Sequence, residues 1–521
     1  MILTPRPTTS WQSHYQQRLP HRLHQLTQFI RQYKTADPHY LRPHFHNLRN
    51  QIDIALRFPA CWPHLAQLLA ALRPLPQLWG LWDEWLLICQ QADEVFAQQQ
   101  WVNEQGWFLA DRIALLIELG RHEEAVQVFE NLLAIPDPVA AARPLFRAGH
   151  TVSTRLILAG YPEQGFAVCK QQSELLYELT PLLAPDDWLY ADVLVALQET
   201  LVMRQKGEQA KTMPIIEQLI ARLAAQPSVP LDLWRDVYHH QGGVLASNSL
   251  YHQSVVAMEK AIAYAVMMGD EFYEASLNID LALPLWALAR FDQVETAVRR
   301  GIQLCEKLKA NNRLALGLSI FVEVLVTRRD LDEAERWLPR LFELCQQQNL
   351  EATLADAYAV RGTIAMIQGH YDEALADMKR AEASYLQRKA IRWLVWISLC
   401  LSDCYREVGD NETAVYYAYK AHDYCEQGKF MFIKPRVLNC LAQFQDSDKK
   451  KAMIREALLL AQTLHLHFVQ ITCQFNLLPL IEDEAEREVL WQEAIALAYT
   501  CGLEKWLEGH SLQNPPRLPI I

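Results

Sequence analysis

The chain has 521 residues, 51% of them hydrophobic, 21% charged and 10% aromatic, which is enough apolar content for a large core and excludes wholesale disorder. With only 18 Gly and 25 Pro, a collagen-like or elastic chain is excluded, and a glycine-turn-rich all-β architecture is disfavoured. The 49 Lys and Arg stand against 61 Asp and Glu, a net charge of −12, which describes a soluble protein rather than a general polyanion binder.

The first fifty residues run against that balance. Arg6, Arg18, Arg22, Arg31, Lys34, Arg42 and Arg49 face Asp37 alone. The opening MILTPRPTTSWQ lacks the apolar stretch of a secretory signal. No run of eighteen apolar residues without charge follows, so no membrane span is expected. Segments 11–34 and 41–58 read as amphipathic helices, with Leu23, Leu26, Phe29 and Ile30, then Ile52 and Leu56, at helical spacing. A basic helical cap is therefore expected over residues 1–64. It either covers an open end of the body or docks a partner through its charge. The pairs His21-x-x-His24 and His44-Phe-His46 have no Cys or carboxylate at ligand spacing and no HExxH occurs, so no metal site is expected.

From residue 65 a forty-residue repeat takes over. Gly80-Leu-Trp-Asp-Glu-Trp, Gly120-Arg-His-Glu-Glu-Ala and Gly160-Tyr-Pro-Glu-Gln-Gly share one phase. A unit near Gly207 is displaced by an insertion containing TPLLAPDDW, and the beat returns at Ser249, Ala289, Arg329, Gly369 and Gly409. Weaker units follow at 449–459 and 482–494. Each unit reads as two antiparallel helices. A small residue at the turn (Gly120, Gly160, Gly369, Gly409) tolerates positive φ at a helix C-terminus, and an acidic residue or Asn opens the second helix. Ala125, Ala334, Ala374 and Ala414 allow close helix approach. Seven residues on, Ala92, Leu132, Ala261, Leu341, Ala381 and Ala421 recur on the same face. One such hairpin leaves an apolar face bare, so neighbours must stack.

These motifs resemble the tetratricopeptide repeat over roughly residues 65–500. The family's usual period is thirty-four residues, and the longer beat is similar to the long-helix variants of kinesin light chains and of the sensor domain of the bacterial maltose-regulon activator. Gly80–Ala92 is similar to the repeat that follows the nucleotide-binding module of large bacterial signal-transducing ATPases. The ATPase itself is not expected, because the only Gly-Lys pair, Gly428-Lys429, lacks a phosphate-cradling loop. The resemblance implies an all-α, right-handed superhelical solenoid of about ten hairpins, followed by a Pro-containing tail over 501–521.

The resemblance also implies that the first helix of each pair lines a concave groove. Carried over by register, the groove candidates are Arg147, His150 and Thr154; Asp236 and His239; Ser319 and Glu323; Asp356 and Thr363; and Asp403 and Arg406. The family's carboxylate clamp needs Lys and Asn where this chain has Ala359 and Thr363, so chaperone-tail binding is disfavoured. The tryptophans at 62, 79, 82, 85, 101 and 107 fit a long-helix core better than a peptide groove. No catalytic elbow or nucleophile–base pair occurs, and Cys400 and Cys404, four apart on a helix, read as core thiols in a reducing cytoplasm. The reading is a non-enzymatic cytoplasmic protein, without cofactor, that binds a protein or peptide partner, with a homo-oligomer open. Two alternatives stay open: a small-molecule sensor with a pocket near His150 or His239, and a nucleic-acid adaptor using the basic arm, the latter disfavoured.

Overall fold

A computed structural model describes residues 10–36, 38–73, 75–158 and 161–516. Among these residues the regular elements are all helical, apart from an isolated bridge between Ser511 and Asn514. None of the described helices is long and apolar enough to cross a membrane.

From residue 231 a new helix begins every twenty residues. Leu231–Ser247, Glu271–Asp280 (continued by Ala282–Ala287), Asn311–Thr327, Glu351–Ile367 and Ile391–Val408 are the first helices of successive pairs. Tyr251–Met267, Phe291–Leu308, Leu331–Gln347, Tyr371–Gln387 and Asn411–Gly428 are the second helices. The same device ends each of them. A residue at positive φ follows the helix, at Ser249, Gly269, Ala289, Lys309, Arg329, Asn349, Gly369, Lys389, Gly409 and Lys429. The next amide then reaches back to a carbonyl five residues earlier, as in Asp330 N–H to Leu325 O at 2.8 Å and Ala390 N–H to Tyr385 O at 2.9 Å. This Schellman closure satisfies carbonyls that the helix end leaves open. Gly120 also has positive φ; Gly160 lies outside the described residues. Several helices are opened by an aspartate cap, with Asp270, Asp410 and Asp446 each accepting from the amide three residues on at 3.1 Å.

The small residues of the repeat sit where the helices of a pair touch. Ala334, Ala374 and Ala414, and the later Ala261, Leu341, Ala381 and Ala421, are all fully buried. A Cβ at Gly362 would lie 3.0 Å from Met378 Cγ and 3.1 Å from the Ala374 carbonyl, so glycine there sets the helix spacing.

The chain divides into two units. One comprises Met1–Val152, Gln171–Ala191 and Lys307–Lys309; the other comprises Ser153–Lys170, Asp192–Glu306 and Ala310–Ile521. In the first unit, helix Ser10–Ala36 packs on Trp62–Leu72, with Leu19, Leu23 and Ile30 buried. Lys34 donates to the Ala71 carbonyl at 3.1 Å and also to the Arg73 carbonyl, capping the end of that helix with a cation. Burial and the neighbouring Arg73 hold Lys34 down to about 8. Arg73 forms a two-pronged bond to Asp111, both contacts at 2.6 Å, and stacks 4.4 Å over Trp107. Trp79 and Trp85 are fully buried. In the second unit, the short turn Glu504–Trp506 folds back on the repeats: the Trp506 indole donates to the Thr327 carbonyl at 2.7 Å, and Lys505 pairs with Asp330.

Candidate functional site

Within the second unit, side chains from first helices that are distant in sequence meet. Trp286 lies edge-on to Trp396 with ring centres 6.1 Å apart, and 6.4 Å from Phe468 on helix His467–Leu477. Arg436, on helix Lys434–Ala442, places its guanidinium 4.4 Å from Trp396, 4.8 Å from Trp286 and 5.8 Å from Phe468. Those helix faces therefore turn toward one another, and the lining they form carries charged side chains beside the aromatic rings.

Four arginines and two carboxylates define the electrostatics of that lining. Arg436 is 5% exposed, and its guanidinium makes no hydrogen bond or ion pair with any described residue. Burial pulls its pKa down to about 9, partly offset by Tyr251 and Glu323. Arg204 donates to Ser247 Oγ at 2.9 Å and lies against Gly243, where a Cβ would sit 2.6 Å from its Nη1. Burial and then the charge of Arg392 bring Arg204 down to about 10. Arg392 reaches water and stacks 5.0 Å over Trp393, yet the protein around it still lowers its pKa. Arg388 lies 5.5 Å from the Tyr385 ring, and its Nε and Nη2 are closed off from water with no acceptor.

The carboxylates are Glu323 and Asp356. Burial, reinforced by Asp356, pushes Glu323 up to about 7 against the pull of Arg436 and Arg392. The Glu323 carboxyl has no hydrogen bond or ion pair among the described residues. Asp356 accepts from the Tyr385 hydroxyl at 2.7 Å; burial raises its pKa and that hydrogen bond opposes the rise.

Of the groove candidates, Glu323 and Asp356 are the two brought together on this lining. Ser319 is buried one turn before Glu323. Thr363 donates to its own helix at Ala359 O, 3.0 Å away. Asp403 and Arg406 pair with each other along one helix at 3.0 Å. Asp236 is buried against Arg235 at 2.8 Å, while His239 meets Asp280 at 3.2 Å, which also faces Arg313 at 3.6 Å. In the first unit, Arg147 donates to the Tyr190 hydroxyl at 2.8 Å and His150 is buried. Thr154 belongs to the other unit, and its hydroxyl is enclosed without a partner.

Sequence reasoning missed Arg204, Trp286, Arg388, Arg392, Trp396 and Arg436. A signal for two of them was present: the register that contains Asp236 and Asp356 continues, forty and eighty residues on, at Trp396 and Arg436. The cysteines bring no reactivity to the lining. Burial pushes Cys400, Cys440 and Cys473 up to about 12. No group of three or more metal-ligating side chains occurs among the described residues.

No family model matches the chain. Its fold is similar to a Rap protein solved in complex with competence and sporulation factor, with a TM-score of 0.55 and 14% identity over 69% of this chain and 99% of that one. Weaker likenesses reach the apo form of the quorum sensor NprR from B. thuringiensis (TM-score 0.46, 13% identity, 67% of this chain and 98% of that one). They also reach the APC/C hetero-tetramer Cut9–Hcn1 (TM-score 0.41, 12% identity, 90% of this chain and 92% of that one). The paired helices and the first of these likenesses define the class: an all-α solenoid of tetratricopeptide-like repeats.

Proposed function

We propose that the chain is a peptide-binding regulatory scaffold, with its ligand held on the charged lining formed by the first helices of the second unit. One observation carries the reading: the lining holds ionic groups without a hydrogen-bond or ion-pair partner among the described residues, Arg436 above all. An interior built only for stability pairs its buried charges or replaces them with apolar groups, because an unpaired buried ion is costly. Here the missing partners are best supplied by a ligand. A run of helices offers such a ligand several side chains in a row, which suits an extended or helical peptide. The fold likeness to a Rap protein solved with competence and sporulation factor is in keeping with a regulator that responds to a bound factor. In this reading the chain performs no chemistry of its own and acts on a separately encoded partner.

The test is affinity selection of a synthetic random heptapeptide mixture on the full chain, followed by titration calorimetry of the enriched sequences. Enrichment of related sequences with micromolar or tighter binding supports the reading. Absence of any enrichment overturns it, as does salt-sensitive duplex DNA binding that disappears when residues 1–50 are removed.

A further inference from the structure

The lining around Arg436 has more structure than a general cationic wall. The guanidinium is enclosed by three aromatic rings. Ring faces stabilise its charge through cation–π attraction, but they accept none of its five N–H groups in the manner of an oxygen. Beside it, the Trp286 indole N–H is closed off from water and also lacks an acceptor. Two adjacent side chains, with the guanidinium 4.8 Å from the indole ring centre, thus present hydrogen-bond donors with no acceptor among the described residues. The carboxylate that acts on Arg436 is Glu323, through space and without an ion pair. Pro435 in the first turn of helix Lys434–Ala442 fixes the backbone that carries the arginine.

We infer that Arg436 and Trp286 form a carboxylate subsite, and that the group it takes is a carboxylate of the bound peptide. The inference rests on the peptide-binding reading and specifies its chemistry. A carboxylate is flat, offers two acceptor oxygens and matches the guanidinium fork, with lone pairs left for an indole N–H. It also brings a single negative charge. Arg204, Arg388, Arg392 and Arg436 outnumber Glu323 and Asp356 on this lining, so an added anion meets a surplus of positive charge. Arg392 and Arg388 lie further along the lining and supply long-range attraction.

The test uses the full-length protein and three synthetic random heptapeptide pools. The first has a free C-terminus, the second is amidated, and the third is amidated and lacks Asp and Glu. Enriched peptides are identified by mass spectrometry and their affinities measured by fluorescence anisotropy. The expectation is enrichment from one or both of the first two pools, with the third at least ten-fold weaker. Enrichment from the first pool alone assigns the terminal carboxylate, and enrichment from the second assigns an acidic side chain. R436Q should weaken the carboxylate-bearing peptides at least ten-fold, and W286F, which removes only the N–H, three- to ten-fold. Neither should alter binding of the matched carboxylate-free peptides. If R436Q does not give the helical circular dichroism of the parent, R436K and W286F carry the same comparison. Equal binding of the third pool overturns the carboxylate subsite while leaving the peptide reading intact; no enrichment from any pool removes both.

Discussion

Replacing Glu323 with Gln separates a cost from a benefit in the charged lining. Folding lifts this carboxyl from 4.5 to about 7, first through burial and then through Asp356. Asp356, Arg392, Arg436, Tyr385 and Cys400 are the charged or titratable groups that act on it. Between these two values the folded protein keeps a proton that the unfolded chain has released. Stability therefore falls as pH rises through that window: the penalty is absent below about 4.5 and complete above about 7. At about 1.4 kcal/mol per pKa unit the ceiling is about 3 kcal/mol, and water contact at the partly exposed side chain reduces it to about 1–2 kcal/mol. E323Q should match the parent in urea unfolding at pH 4.5 and exceed it by about 1–2 kcal/mol at pH 8. A difference that stays flat with pH, or a less stable variant at pH 8, would refute the reasoning by showing that the carboxylate is favourably paired.

The residues at positive φ allow a direct exchange. Lys309→Gly and Lys389→Gly should each raise stability by up to about 1 kcal/mol, and Gly409→Ala, which has open space around the added carbon, should lower it by about 1 kcal/mol; thermal and urea midpoints read both. Trp506→Phe removes the indole bond to the Thr327 carbonyl and should cost about 1 kcal/mol in unfolding of the second unit. Because burial raises the thiols, an aromatic disulfide reagent at pH 8 should leave the native cysteines almost untouched over minutes and titrate all eleven in urea. Rapid native labelling of Cys440 or Cys473 would contradict their enclosed placement.

Much of the fold could be read from the repeat. The alanines at 374, 381, 414 and 421 fall on contact faces because a forty-residue interval returns the same side of the helix pair to its neighbour. The turn after most second helices was hidden, although it uses the same closure as the glycine turns. Lys309, Asn349, Lys389 and Lys429 adopt left-handed backbone there, and no glycine marks the place. The ligand face was only partly legible. Register selected Glu323 and Asp356, whose neighbours prove to be charged groups. It also selected Asp403 and Arg406, which pair along one helix, and Thr363, which donates to its own helix. Arg436 and Trp286 lie in different repeats, and their meeting depends on how the first helices wind around one another. Spacing along the chain does not encode that.

Photo-cross-linking a selected heptapeptide to the full chain tests the ligand face most directly. A probe carrying the reactive group at its centre should label Asn311–Thr327, Ile391–Val408 and Lys434–Ala442. Labelling confined to the second helices Tyr371–Gln387 and Asn411–Gly428, or to the basic segment before residue 65, would contradict a ligand seated on the first-helix lining.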